Sequence, residues 1–358
     1  MTTTDSPATT HDDAPRFLPE LAERLPLIRD LRPMQFDHPA MRAWDAPHGD
    51  PETWDLQIAD RELPGPHGPV PVRIYAPSDE ARDGAADDPR AGAVSDPGAP
   101  RPCLVWLHGG AFIGGDLDMP EAHEVARGIA GRAGAVVVSV FYRLCDVPAD
   151  MGGAPATTNP RGETGVHAPI PLDDAHAAFT WVREHAADLG IDPSRIAVGG
   201  ASAGGALAAS LSQRLADEGA PARRALLMYP VVHAVLPEPT PEEAAALAVT
   251  PEVLRFHTET TVAMNENYLG GPVETATPYE FAALADEDAL RALPATYIEV
   301  DEFDDLRRSG RAYAEQLRDA GVDVTFEIRR GVPHGHLNRV GLSAAAQSLD
   351  RMAALLGE

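Results

Sequence analysis

The chain has 358 residues and a formal net charge of −26, from 29 basic and 55 acidic side chains. Every basic residue is arginine, so no lysine is available for a Schiff base or a P-loop, which excludes pyridoxal-phosphate enzymes, lysine aldolases and Walker-type NTPases. The acidic balance argues against a nucleic-acid or anionic-membrane partner, and 44% hydrophobic residues supply ample core.

The N-terminal MTTTDSPATTHDD has no positive n-region or apolar h-region, and no run of about 18 apolar residues occurs anywhere, so a soluble, cytoplasmic protein is expected. Leu18–Leu31 has helical spacing, and Val70–Ala76 alternates as a strand. Ser78–Pro102 reads as a flexible loop. Cys103–Leu107 and Ala135–Phe141 are short apolar runs, suited to strands buried on both faces of a parallel sheet. A second loop follows, Asp146–Pro171. Asp173–Leu189 is helical in spacing, Arg195–Gly200 is a strand running straight into Ser202, and Gly204–Asp217 is an alanine-rich helix. Ala225–Pro230, Ala295–Val300 and Val322–Arg329 are further strands, and Leu306–Ala320 and Leu342–Leu356 further helices. The alternation is that of a mostly parallel α/β sheet.

Two segments interrupt it. Residues 1–50 precede the first strand, and residues 235–280 hold two helical patterns, Pro241–Ala248 and Pro251–Tyr268. They are expected to pack together as a cap over a core made of 51–234 and 281–358. The last strand would expose Val324, Phe326 and Ile328 on one face of a sheet edge, which suggests a homodimer or, instead, a covering helix of the same chain. Two cysteines, Cys103 and Cys145, make no disulfide framework.

Gly200-Ala201-Ser202-Ala203-Gly204 is a G-x-S-x-G between a strand and a helix, the setting of a nucleophile elbow. The turn is so tight that side chains two residues either side of the serine would clash. The Ala203 amide opens the helix toward a developing oxyanion. His108-Gly109-Gly110-Ala111 follows the strand CLVWL, and the Gly109 and Gly110 amides would converge with Ala203 on a bound carbonyl oxygen; His108 itself reads as structural. Gly331-Val332-Pro333-His334-Gly335-His336 follows the final strand, where a histidine can serve as general base. Chelation by His334 and His336 is the lesser reading, since no other cluster has ligand spacing. Between serine and histidine, Asp301-Glu302-Phe303-Asp304-Asp305 offers an acid in the order Ser, acid, His.

With these motifs the chain resembles the hormone-sensitive-lipase family of α/β-hydrolases, over roughly residues 50–358. His108–Ala111 stands in the HGG[GA] position, Tyr142-Arg143-Leu144 as YRL and Gly200–Gly205 as GASAGG. Asp304–Arg307 is similar to D-P-L-R, and Gly331–Gly335 to G-x-P-H-G. The resemblance implies an α/β-hydrolase fold, an eight-stranded, mostly parallel sheet under a helical cap. It also implies Ser202 as nucleophile, His334 as base, Asp304 as acid, and Gly109, Gly110 and Ala203 as oxyanion donors. Such a set needs no metal or organic cofactor. The expected reaction is hydrolysis of a small-molecule carboxylic ester through an acyl-enzyme on Ser202, with short-chain or aryl esters favoured by the resemblance. Amide, carbamate or lactone hydrolysis would use the same residues. A non-catalytic binding protein on this fold is disfavoured by the intact His334. Asp305 departs from the family's proline and His336 from its phenylalanine. After YRL comes Cys145-Asp146-Val147 and an insertion. Asp305, just before Leu306-Arg307-Arg308, is expected to cap the following helix, which leaves Asp304 free to reach His334.

Overall fold

Val136–Val140 (VVVSV) is buried at every position, which a strand achieves only with layers on both faces. The computed structural model, which describes residues 15–33, 35, 38–78, 99–148 and 161–358, sets it inside an eight-stranded sheet. Its strands are β1 (Leu56–Leu63), β2 (Val70–Pro77), β3 (Arg101–Leu107), β4 (Val136–Val140), β5 (Ile191–Ala201), β6 (Arg224–Met228), β7 (Ala295–Phe303) and β8 (Val324–Pro333). The spatial order is β1-β2-β4-β3-β5-β6-β7-β8. β1 and β2 form an antiparallel hairpin that joins β4 antiparallel, and all other pairs are parallel. Most of the two expected loops, residues 79–98 and 149–160, lies outside the described residues.

The helices of the N-terminal segment are α1 (Pro19–Ala22), α2 (Leu25–Ile28) and α3 (Pro39–Trp44). The single helix expected over Leu18–Leu31 is two short turns instead. Pro26 has no N–H to give the Ala22 carbonyl, so the ladder stops there. Then follow α4 (Pro120–Ala133), α5 (Ile170–Glu184), α6 (Ala203–Asp217), α7 (Pro241–Leu247), α8 (Thr258–Leu269), α9 (Glu287–Arg291), α10 (Arg307–Asp319) and α11 (Ser343–Gly357). β1, α3, α4 and α9 have no counterpart among the expected elements.

Alternating side chains of β3 supply the two cores. Cys103, Val105 and Leu107 join Leu172 and Phe179 of α5 and Leu207 and Leu211 of α6 on one face. Leu104 and Trp106 join Val125 and Ile129 of α4 and Leu349 and Met352 of α11 on the other. The N-terminal segment is held on this second face by buried Leu21, Ile28 and Trp44. Its Phe17 ring also stacks on Phe303, with centroids 3.9 Å apart.

Two expectations are corrected here. Val324, Phe326 and Ile328 of edge strand β8 are half-buried against the first core, and Arg318 of α10 lies over the Phe326 ring. This apolar face is therefore partly covered by α10 of the same chain. The Pro251–Tyr268 helix begins only at Thr258. Before it come one 3₁₀ turn, Glu252–Leu254, and an extended Arg255. Among the described residues no helix is long and apolar enough to cross a membrane.

Candidate active site

β5 hands the chain to α6 through Ser202, whose φ of 54° and ψ of −119° lie outside the regions ordinary residues occupy. Such a conformation costs on the order of 1–3 kcal/mol and persists only where the surroundings impose it. Here the Ser202 amide donates to the Met228 carbonyl of β6 at 2.9 Å, and the Ala206 amide donates back to the Ser202 carbonyl at 3.0 Å. The flanking glycines leave no alternative. A Cβ on Gly200 would overlap the Gly204 carbonyl, and one on Gly204 would overlap the carbonyl oxygens of Leu107 and His108. The last two are backbone atoms at the end of the central strand β3. Gly204→Ala should therefore destabilise the protein by more than about 3 kcal/mol. Urea denaturation checks this, and an unchanged midpoint would contradict it.

The elbow aims the Ser202 hydroxyl at His334, which follows β8, with Oγ and Nε2 2.9 Å apart. Nδ1 of the same ring lies 2.7 Å from Oδ2 of Asp304, which follows β7. The second Asp304 oxygen accepts the Leu306 amide at 2.9 Å, which orients the carboxylate. Tyr229 and Phe256 present edges to the imidazole, with centroids 4.9 and 4.8 Å away. Burial opposes a charge on His334, but the Asp304 carboxylate, with Asp301 and Glu121 behind it, holds its pKa above the ordinary histidine value. Ser202, Asp304 and His334, spread over 132 positions of sequence, thus form one chain of bonds, through which a hydroxyl proton can pass to an imidazole whose new charge faces a carboxylate.

Above this chain lies a cavity of about 220 Å³. Ser202, Ala203, Gly110, Ala111 and His334 line its floor, and Phe112, Met119, Val231, Phe256, Met264 and Leu306 its apolar walls. Gly109 is not where it was expected. Its N–H goes to Oε2 of Glu121 at 2.6 Å instead of facing the cavity, and Gly110 and Ala111 turn past it with left-handed φ of 120° and 55°. Glu121, 2% exposed, also accepts from the Tyr229 hydroxyl at 2.6 Å and the Asn338 side-chain amide at 3.1 Å. Burial pushes its carboxyl up from the usual range, against those bonds. This Glu121–Tyr229–Asn338 set escaped the sequence reading. The one available signal was a glutamate in the first turn of an amphipathic helix, which reads as a surface charge. His108 is structural. Burial pushes it down to about 4, Nδ1 faces its neighbour's carbonyl, and Tyr142 of YRL stacks on it while donating to its backbone oxygen.

The other two aspartates have separate tasks. Asp301 bonds Nδ1 of His336 at 2.7 Å, and Nε2 of that ring lies 2.8 Å from the Ser348 hydroxyl, which donates to Glu299. All four side chains are fully buried. His334 and His336 therefore each spend both nitrogens on different protein partners. Among the described residues no group of three metal-ligating side chains occurs. Asp305 caps nothing, contrary to expectation. It takes the Arg255 guanidinium in a two-pronged bond, 2.7 and 3.0 Å, and the Phe256 amide at 2.8 Å. Asp304, not Asp305, accepts an amide at the turn into α10, that of Leu306.

Residues 165–338 match the family model of the α/β-hydrolase fold, and residues 71–234 that of the carboxylesterase family. The carboxylesterase NlhH of Mycobacterium tuberculosis is 36% identical, over 80% of this chain and 77% of its own length. The ethyl acetate hydrolase of Pseudomonas putida is 30% identical, over 74% of this chain and 70% of its own. Among solved structures, the hyperthermophilic esterase of the archaeon Pyrobaculum calidifontis superimposes with a TM-score of 0.70 at 26% identity, over 96% of this chain and 98% of that one. Likeness of this extent, in sequence as well as in fold, makes the chain a member of the hormone-sensitive-lipase-type carboxylesterase family of α/β-hydrolases.

Proposed function

We propose that the protein is a serine esterase that cleaves small carboxylic esters through an acyl-enzyme on Ser202. The observation that carries this reading is the unbroken run from Ser202 Oγ through His334 to Asp304, opening into an apolar cavity. In this mechanism His334 takes the serine proton as the hydroxyl attacks the ester carbonyl. Asp304 holds the imidazole tautomer and meets its charge. The amides of Ala203 and Gly110, with Ala111 in the place given up by Gly109, receive the oxyanion, each such donor being worth about 2.7–4 kcal/mol. Collapse expels the alcohol, which takes the proton from His334. Water then repeats the sequence on the acyl-enzyme. Residues up to 50 and 235–280 are read as the cap, since Phe256, Thr261, Met264 and Asn265 of the second segment line the cavity. A cavity of about 220 Å³ and a named ethyl acetate hydrolase among the relatives favour short acyl chains.

The test is a panel of p-nitrophenyl esters from acetate to dodecanoate beside matching anilides. Short esters should be turned over fastest, and faster turnover of the anilides would overturn the ester reading. The pH profile gives a second check. His334 must be neutral to act as base, and its pKa is raised above the ordinary value of about 6.5. The acid limb of kcat/KM should therefore report an ionisation above 6.5, with activity gained as pH rises through it. An inflection at or below that value would contradict the assignment.

A further inference from the structure

We propose that Asp305 and Arg255 form a clamp that fixes Phe256 as a rigid wall of the substrate cavity and so confines this enzyme to short acyl chains. The inference rests on the ester-hydrolase reading above. Asp305 is the neighbour of the triad acid, yet its side chain points into the 235–280 segment, where it is 1% exposed. Oδ2 accepts Arg255 Nε at 2.7 Å and the Phe256 amide at 2.8 Å, while Oδ1 accepts the second guanidinium nitrogen at 3.0 Å. The third Arg255 nitrogen donates to the Leu247 carbonyl, the last residue of α7. Arg308, one turn on, donates to the Pro237 carbonyl and the Thr258 hydroxyl, on either side of the same stretch.

These bonds decide where Phe256 stands. Its backbone is held by the carboxylate next to the triad acid, and its ring meets His334 edge-on while lining the cavity. A two-pronged guanidinium–carboxylate bond is directional and stiff, and a buried charge stripped of its partner is costly. The wall cannot retreat without breaking both. A longer acyl chain therefore meets a ring locked to the catalytic loop, whereas a wall held only by apolar packing could shift. Asp305 and Arg255 are positioning residues. Phe256 determines specificity.

The experiment measures kcat/KM for p-nitrophenyl octanoate relative to acetate, with active sites counted by fluorophosphonate titration. Asp305→Asn, Arg255→Met and Phe256→Ala should each raise the octanoate-to-acetate ratio about tenfold or more, the scale of small changes in an apolar pocket. Combining Asp305→Asn with Phe256→Ala should raise it no further than Phe256→Ala alone, because the clamp acts through that ring. A general loss of stability would lower both rates and leave the ratio unchanged. Should the first two variants fail to fold, Arg255→Lys keeps the charge without the two-pronged geometry, and it should give a ratio between wild type and Phe256→Ala. Active, titratable variants with an unchanged ratio, or additive effects in the double variant, would overturn the clamp alone. A wild-type chain that neither hydrolyses the acetate nor labels at Ser202 would overturn the ester reading, and the clamp with it.

Discussion

Ser202→Ala should lower kcat for a short-chain p-nitrophenyl ester by about 10⁶, as in serine hydrolases whose triads act as a unit. The loss follows from geometry. The hydroxyl 2.9 Å from His334 is the group placed to attack, and without it the imidazole has no proton to take. The amides around the cavity remain and can still polarise a bound carbonyl, so activity need not fall to that of water alone. Alanine tolerates the backbone at 202 no better and no worse than serine, so the variant should melt with the wild type. A fluorophosphonate should label the wild-type chain at Ser202 and leave the variant unlabelled. Labelling that persists in the variant would place the nucleophile elsewhere.

Asp304→Asn should cost about 10³–10⁴ in kcat while leaving the fold intact, by analogy with the serine-protease case. The side-chain oxygen that accepts the Leu306 amide survives the change, so the turn into α10 keeps its bond. What is lost is the negative charge 2.7 Å from Nδ1. An amide there can favour the wrong tautomer and cannot balance an imidazolium. The same change should move the acid limb of the pH profile down, because Asp304 is the largest influence raising the His334 pKa. If Asp301→Asn gave the larger kcat loss, the acid would be misassigned.

How much of this was legible follows from which forces are local. The elbow could be read because Gly200 and Gly204 are demanded by backbone atoms within a few residues of sequence or one strand away. Most strands could be read because burial on both faces leaves runs such as VVVSV. β1 could not, being largely exposed, with no apolar alternation to show. α4 has its core face built from Ala122, Val125, Ala126, Ile129 and Ala130, and small side chains give a faint periodicity. Gly109 was misread because a backbone N–H takes whichever acceptor the fold supplies, and Glu121 arrives from a helix. Asp305 was misread for the same reason. A local rule made it a cap, and an arginine fifty positions earlier outbid that rule. Chain order narrowed the acid to the segment 301–305, whereas the partners that Asp301, Asp304 and Asp305 take within it were set by tertiary packing.

The buried Asp301–His336–Ser348 set repeats the bond order of the triad, aspartate to Nδ1 and Nε2 to serine, at 2.7 and 2.8 Å. The molecule thus carries its own control for what makes a serine reactive. Ser348 sits in a helix at ordinary geometry, donates its hydroxyl hydrogen to Glu299, and is not among the residues that line the cavity. Reagents that modify Ser202 should leave it untouched. Two sites of matching composition in one chain then part company on backbone strain, on reach to a cavity and on where the serine hydrogen points.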